Sequence, residues 1–115
     1  MLSPSLAFTW ALKRSHKDIV KILIDHSTNI DKNGYNGETP LIWASRNNKM
    51  DMVKLLVKNS ANIEKFDDRD YTALIWASEK GHVDIAKFLI ENGAKVDGSK
   101  ENRTTPLLIA SEVSI

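Results

Sequence analysis

The residues best suited to acid–base, metal or nucleophilic chemistry are few in this sequence and do not fall in catalytic patterns. Three of the 115 residues are histidine, at His16, His26 and His82, and none is cysteine. No cysteine is therefore available for a zinc site, and the sequence has neither a phosphate-binding loop nor a Gly-x-Ser-x-Gly turn. We predict no catalytic residue, no metal site and no cofactor.

The histidines are also placed too far apart to act together. His16 and His82 are 66 residues apart, which is twice the repeat period described below. Since packed helices are spaced ~10 Å apart, residues two repeats apart should be separated by about 20 Å. We predict that these histidines lie in turns and bond to neighbouring backbone.

Two acidic stretches are the remaining candidates for a cation site. The run Asp-Lys-Asn-Gly-Tyr-Asn-Gly-Glu occupies residues 31–38. A calcium loop needs oxygen ligands at positions 1, 3, 5 and 12 and glycine at position 6, but position 6 here is Asn36 and position 12 is Ile42. The second stretch contains Asp67, Asp68 and Asp70. It could hold a cation weakly, and we favour a solvated turn.

The composition points to a single globular domain without a strong electrostatic preference. Sixteen basic residues stand against 15 acidic ones, for a net charge of +1, which gives no long-range attraction for nucleic acid or an anionic membrane. No apolar run approaches the ~20 residues of a membrane helix. The absence of cysteine is compatible with a reducing compartment, and we expect an intracellular, cytoplasmic protein. Residues 1–17 lack acids and could be read as a mitochondrial presequence, but the repeat accounts for the same residues.

A repeat of 33 residues is the strongest pattern in the sequence. A Trp-Ala pair occurs at residues 10–11, 43–44 and 76–77. The longer run Thr-Pro-Leu-Ile-Trp-Ala-Ser at 39–45 matches Thr-Ala-Leu-Ile-Trp-Ala-Ser at 72–78 and Thr-Pro-Leu-Leu-Ile-Ala-Ser at 105–111. A fixed period of this length is typical of stacked repeat architectures.

Each repeat unit is predicted to contain two short helices. Apolar and small residues follow helical spacing, with Leu41 and Ala44 in a first helix and Val53, Leu56 and Val57 in a second. A threonine followed by proline, as at residues 39–40 and 105–106, is a favourable helix start. The sequence therefore predicts an all-α fold.

These patterns closely resemble the ankyrin repeat. Residues 37–41, Gly-Glu-Thr-Pro-Leu, are similar to the start of that repeat, residues 81–82, Gly-His, to the turn between its helices, and residues 93–94, Gly-Ala, to its end. The resemblance covers nearly the whole chain, from about Leu6 to Ser111. It implies an ankyrin-repeat solenoid of stacked helix–turn–helix units, about 3.5 repeats in a single domain spanning residues 1–115. The expected repeats are approximately 1–31, 32–64, 65–97 and a partial 98–115.

Several positions depart from the family pattern. The histidine expected after Thr-Pro-Leu is replaced by Ile42, Ile75 and Leu108, so apolar packing must take the place of its hydrogen bonds. Asn48 stands where the turn between helices expects glycine, and asparagine tolerates the left-handed conformation. Asp70 and Arg103 also replace glycine, so those turn tips are expected to be either strained or rearranged. The apolar residues near the C-terminus are Leu107, Leu108, Val113 and Ile115, which predicts an uncapped end and possible self-association.

The resemblance implies that partner contacts come from the turn tips and from the exposed ends of the first helices. The tryptophans at equal repeat positions have two interpretations, framework packing between first helices or exposure on the concave face as binding anchors. The predicted partner-binding residues are Trp10, Lys13, Arg14, Asn33, Tyr35, Asn36, Glu38, Trp43, Arg46, Asn47, Phe66, Asp68, Arg69, Tyr71, Trp76, Glu79 and Lys80.

The favoured function is therefore a non-catalytic module that binds another protein through its concave face and turn fingers. Nucleic acid, membrane and cofactor are not expected as partners. A structural spacer of a longer ankyrin array, or a scaffold that self-associates through its uncapped end, is the alternative. An arm of a multidomain enzyme is the least favoured interpretation.

Overall fold

The structure is a computed structural model, and it describes residues 4–26 and 29–96. Six α-helices lie in this part of the chain. They are α1 (Pro4–Lys13), α2 (Lys17–Asp25), α3 (Pro40–Arg46), α4 (Met50–Lys58), α5 (Ala73–Lys80) and α6 (Val83–Glu91), with a short 3-10 helix at Tyr35–Gly37. The all-α prediction is confirmed.

The helices form two layers. Helices α1, α3 and α5 pack side by side in one layer, which we call the inner layer, and α2, α4 and α6 form the outer layer. Each inner helix also packs against the outer helix that follows it, so the units are helix–turn–helix pairs. None of the helices in the described residues is long and apolar enough to cross a membrane.

Threonine caps begin two of the inner helices, as the sequence predicts. The Thr39 hydroxyl accepts a hydrogen bond from the Ile42 amide at 3.2 Å, and Thr72 accepts one from the Ile75 amide at 3.3 Å. Each bond satisfies an amide that has no partner within the helix. Pro40 occupies the first position of α3, where its missing N–H costs nothing.

A left-handed residue ends each inner helix at the same repeat position. Ser15, Asn48 and Gly81 have φ angles of 60°, 58° and 75°. The following amide then turns back to the helix, as in the bond of 2.8 Å from the Lys49 amide to the Ala44 carbonyl. The prediction that asparagine preserves this turn is confirmed. His82 Nε2 lies 3.2 Å from the Arg46 carbonyl oxygen, which confirms a backbone-bonding role for that histidine.

The core lies between the two layers. Ile42 and Ile75, which replace the family's histidine, are each only 1% exposed, so the predicted apolar packing is confirmed. Burying an isoleucine side chain contributes about 1.5–3 kcal/mol. The third replacement, Leu108, lies outside the described residues, as do Arg103 and the predicted uncapped end.

Carboxylate side chains join successive repeats near the ends of the outer helices. Asp31 accepts a hydrogen bond from the Asn62 amide at 2.8 Å. One period later, Glu64 accepts one from the Lys95 amide at 3.1 Å. Since the two bonds occupy equivalent positions, they hold each repeat in the same register on the next.

Candidate protein-binding surface

Two turns precede the inner helices α3 and α5, and we call them finger one (residues 33–38) and finger two (residues 66–71). Their backbones are bonded alike. The Gly34 amide donates to the Glu38 carbonyl at 2.8 Å, and the equivalent Asp67 amide donates to the Tyr71 carbonyl at 3.0 Å. A tighter bond inside each turn also recurs, from residue 37 to residue 34 and from residue 70 to residue 67, at 3.2 and 2.9 Å. The repeat therefore fixes the path of both fingers.

A buried carboxylate organises finger two. Asp67 Oδ1 accepts hydrogen bonds from the Arg69 amide at 2.9 Å and the Tyr71 amide at 3.0 Å. Asp67 Oδ2 accepts a third from the indole Nε1 of Trp76 at 2.7 Å. With only 7% of Asp67 exposed, the interpretation of this residue as part of a solvated turn is wrong. Three N–H donors explain why the charge is tolerated there.

Trp76 is enclosed by the side chains around it. Its ring centroid lies 5.0 Å from that of Tyr71 in a tilted arrangement. The charged groups of Arg46, Arg69 and Lys80 lie 5.7, 5.8 and 5.7 Å from the same indole. A cation near an indole face is attracted by the ring's quadrupole. The aromatic ring of this repeat is therefore held by one carboxylate and surrounded by three cations.

A side-chain tether joins each finger to the end of its helix. In finger one, Glu38 receives two hydrogen bonds from Arg46, at 2.7 Å from Nε and 3.1 Å from Nη2. This hydrogen bonding raises the pKa of the Arg46 guanidinium, against the opposing effect of partial burial. At the equivalent positions in finger two, burial of Tyr71 raises its phenol pKa, and a hydrogen bond with Glu79 raises it further.

The two fingers also contact each other. The Asp68 amide donates to the Asn36 carbonyl at 3.0 Å. Gly37 has a φ angle of 73°, and a Cβ atom built there would lie 2.5 Å from Asp68 Oδ1. Glycine suits this point because it adopts the left-handed conformation without strain and leaves room for Asp68. Asp70, at the equivalent position of finger two, has a φ angle of 65°, so the turn keeps its left-handed conformation and is strained instead of rearranged.

Comparison with known families bears on the whole chain. The family described as "Ankyrin repeats (3 copies)" matches residues 4–67 and 64–114. The chain belongs to the ankyrin repeat family. Ankyrin repeats are generally protein–protein interaction modules, and the family is typically non-catalytic. No curated protein matches the sequence.

The ankyrin repeats of this chain place their equivalent tryptophans in three different environments. Trp10 is 51% exposed, Trp43 is half-buried and Trp76 is 8% exposed. The guanidinium carbon of Arg14 lies 4.7 Å from the Trp10 ring centroid. The framework interpretation therefore suits Trp76, whereas the exposure required of a binding anchor is present at Trp10. Their role in binding stays a prediction.

Most of the other predicted binding residues have accessible side chains. Finger residues and helix-end residues share this accessibility. The exposed ones are Lys13, Arg14, Asn33, Asn36, Asn47, Phe66, Asp68, Arg69 and Lys80, and the half-buried ones are Glu38, Arg46, Tyr71 and Glu79. The side chain of Tyr35 lies outside the described part of the structure. Within the described residues, no group of three His, Asp or Glu side chains is arranged to hold a metal ion.

Sequence reasoning missed Asp67 as the residue that organises finger two. The available signal was its position five residues before the capping Thr72, where finger one has Gly34. A carboxylate at the start of a turn can accept hydrogen bonds from amides two and more residues ahead. That signal indicates an ordered finger, but it does not indicate the bond to Trp76.

Proposed function

We propose that this ankyrin domain binds another protein through the fingers and the accessible side of the inner helices, which correspond to the concave face of the family. One observation carries the proposal. Exposed aromatic, amide and charged side chains occur at the fingers and inner-helix ends, on a backbone held by bonds within fingers, between fingers and between repeats. A surface that is ordered before binding loses little conformational entropy when a partner docks.

The proposed mechanism is recognition without a chemical step. Aromatic side chains supply contact area, and mixed charges select among partners. Nucleic acid and membrane are not part of the proposal, and we place the domain in the cytoplasm. The proposed domain spans residues 1–115, with repeats at approximately 1–31, 32–64 and 65–97 and a partial repeat at 98–115.

A display library of protein fragments, selected on the immobilised chain, tests this function. Trp10→Ser changes an exposed residue of the inner layer, and Ile22→Ser is its matched control, because Ile22 is a 55% exposed residue of the outer layer. We expect Trp10→Ser, or Phe66→Ser in finger two, to weaken binding of the selected fragments about tenfold. Ile22→Ser should leave it unchanged.

The opposite pattern, with loss only in the outer-layer variant, would contradict the proposal, as would a selection that enriches no fragment. Full tolerance of polar replacements at the fingers would instead favour a spacer within a longer array. Solution mass from light scattering across a concentration series addresses the remaining alternative. A dimer that persists on dilution would favour a self-associating scaffold.

A further inference from the structure

Cationic side chains near Trp76 are exposed to solvent. We call Arg46, Arg69 and Lys80 the cationic patch, since their charged groups surround one indole ring. The side chains of Arg69 and Lys80 are exposed. In the residues that the structure describes, the one ion pair within 4 Å joins Arg46 to Glu38. Arg69 and Lys80 therefore present charges that no carboxylate of the described chain neutralises by direct contact.

Three acids of the same region, Asp67, Glu79 and Glu38, are wholly or partly buried. Asp67 is buried and accepts hydrogen bonds from three N–H groups, and Glu79 is half-buried, with its Oε2 atom shielded from solvent. The Glu38 side chain is 16% exposed, compared with 33% for its partner Arg46. The exposed Asp68 lies against Gly37 of finger one. Asp67 and Glu38 thus have structural roles, while Arg69 and Lys80 remain exposed.

We propose that the cationic patch binds an acidic side chain, Asp or Glu, carried by an extended segment of the partner protein. This inference rests on the proposed function and specifies the chemistry of the segment. A carboxylate placed between Arg69 and Lys80 receives charge-assisted hydrogen bonds from both. Both cations lie within 6 Å of the Trp76 ring centroid, and contact with an apolar ring strengthens the attraction by excluding water.

A peptide carboxylate fits this patch better than a nucleic acid does. Nucleic-acid binding depends on many phosphate contacts spread along a basic surface. Here three cations lie near one indole, the buried Asp67 is bonded to the same indole, and the net charge of the chain is +1. Such a patch attracts a single negative group, but it can contact few of the phosphates of an extended polyanion.

Random-peptide display on the intact chain tests the inference, with selected peptides resynthesised and their affinities measured by fluorescence anisotropy. The patch variant is Arg69→Ser/Lys80→Ser. Its matched control is Lys54→Ser/Lys87→Ser, which removes two exposed charges from the outer helices α4 and α6. Both variants lower the net charge equally, so a non-specific electrostatic effect would appear in both. Thermal melts establish that both are folded.

We expect the selected peptides to share an Asp or Glu, and the patch variant to bind them about tenfold more weakly. The control variant should bind within about twofold of the unmodified chain, as expected for surface charges far from a contact. Replacing the peptide's acid by Asn or Gln should produce the same tenfold loss. In the patch variant the same replacement should not lower the affinity further, because both changes remove the same interaction.

Three results would overturn the inference. If the selected peptides share no acidic residue and bind the patch variant as tightly as the unmodified chain, the inference is refuted. The proposed protein binding would still stand. A selection that enriches no peptide would count against the inference and, together with a failed fragment selection, against the proposed function. Displacement of the peptides by a single-stranded oligonucleotide that depends on the same patch would show that the surface binds polyanions.

Discussion

Finger one and finger two have the same backbone hydrogen bonds but hold their side chains by different means. Finger one begins at Gly34 and is tethered by the ion pair between Glu38 and Arg46. Finger two has a buried Asp67 at the position of Gly34, and its tether is the pair of Tyr71 and Glu79. The tryptophan of the following helix is half-buried after finger one and fully enclosed after finger two.

The difference shows how a repeat protein makes one of its units distinctive. The period fixes the backbone, the caps and the helix packing, so these are shared. A single residue at the start of the finger then decides whether the turn acquires an internal acceptor. Because Asp67 supplies one to both the finger and Trp76, it couples the two parts of the candidate binding surface in the third repeat.

Asp67→Ala removes the buried acceptor that distinguishes finger two from finger one. We expect the free energy of unfolding to fall by about 3 kcal/mol, because two amides and an indole N–H lose a buried charged acceptor. Urea denaturation followed by circular dichroism measures the change. The matched control is Asp68→Ala, an exposed neighbour whose loss should cost no more than about 0.5 kcal/mol. Equal effects of the two variants would contradict the role given to Asp67.

A second comparison uses the equivalent tryptophans. Trp76→Phe should lower the free energy of unfolding by about 2 kcal/mol, since the indole donor to a charged acceptor is lost from an enclosed site. Trp43→Phe should cost about 1 kcal/mol or less, because that side chain is half-buried. Denaturant midpoints of both variants decide the matter. A larger cost at Trp43 would reverse the assignment of the two environments.

Gly34→Asp introduces an equivalent carboxylate into finger one. A Cβ atom at Gly34 meets only the Glu38 carbonyl, at 3.5 Å, so a side chain fits. We expect a gain of about 1 kcal/mol in the free energy of unfolding, partly from the reduced entropy of the unfolded chain and partly from new hydrogen bonds. Gly34→Ala gives the entropic part alone. A variant Gly34→Asp no more stable than Gly34→Ala would show that finger one cannot use the acceptor.

Ionisation of Tyr71 should make the stability of the fold fall slightly at high pH. Burial and the bond with Glu79 raise the pKa of Tyr71 in the folded chain. The corresponding stability is therefore present below the ordinary tyrosine pKa of about 10 and is lost as pH rises through the higher folded pKa. Thermal melts between pH 9 and 11 should show a smaller decline for Tyr71→Phe than for the unmodified chain. Identical declines would count against a raised pKa at Tyr71.

Sequence reasoning reached the shared features of the repeat and missed the individual ones. The period and the resemblance gave the helix pairs, the caps at Thr39 and Thr72 and the left-handed turn at Asn48, because each depends on local chemistry at a repeated position. The burial of Asp67 and the separation of Trp10 from Trp76 depend on contacts between finger and helix. Residue type alone does not distinguish a solvated aspartate from one that accepts three hydrogen bonds.

Hydrogen exchange of the three indole N–H groups, followed in ¹H–¹⁵N NMR spectra, tests the coupling of finger two to Trp76 most directly. We expect the Trp76 indole to exchange far more slowly than that of the exposed Trp10, because its proton is donated to a buried carboxylate. In Asp67→Ala the Trp76 indole should approach the Trp10 rate while the chain remains folded. Equal rates for Trp76 and Trp10 in the unmodified chain would contradict the account.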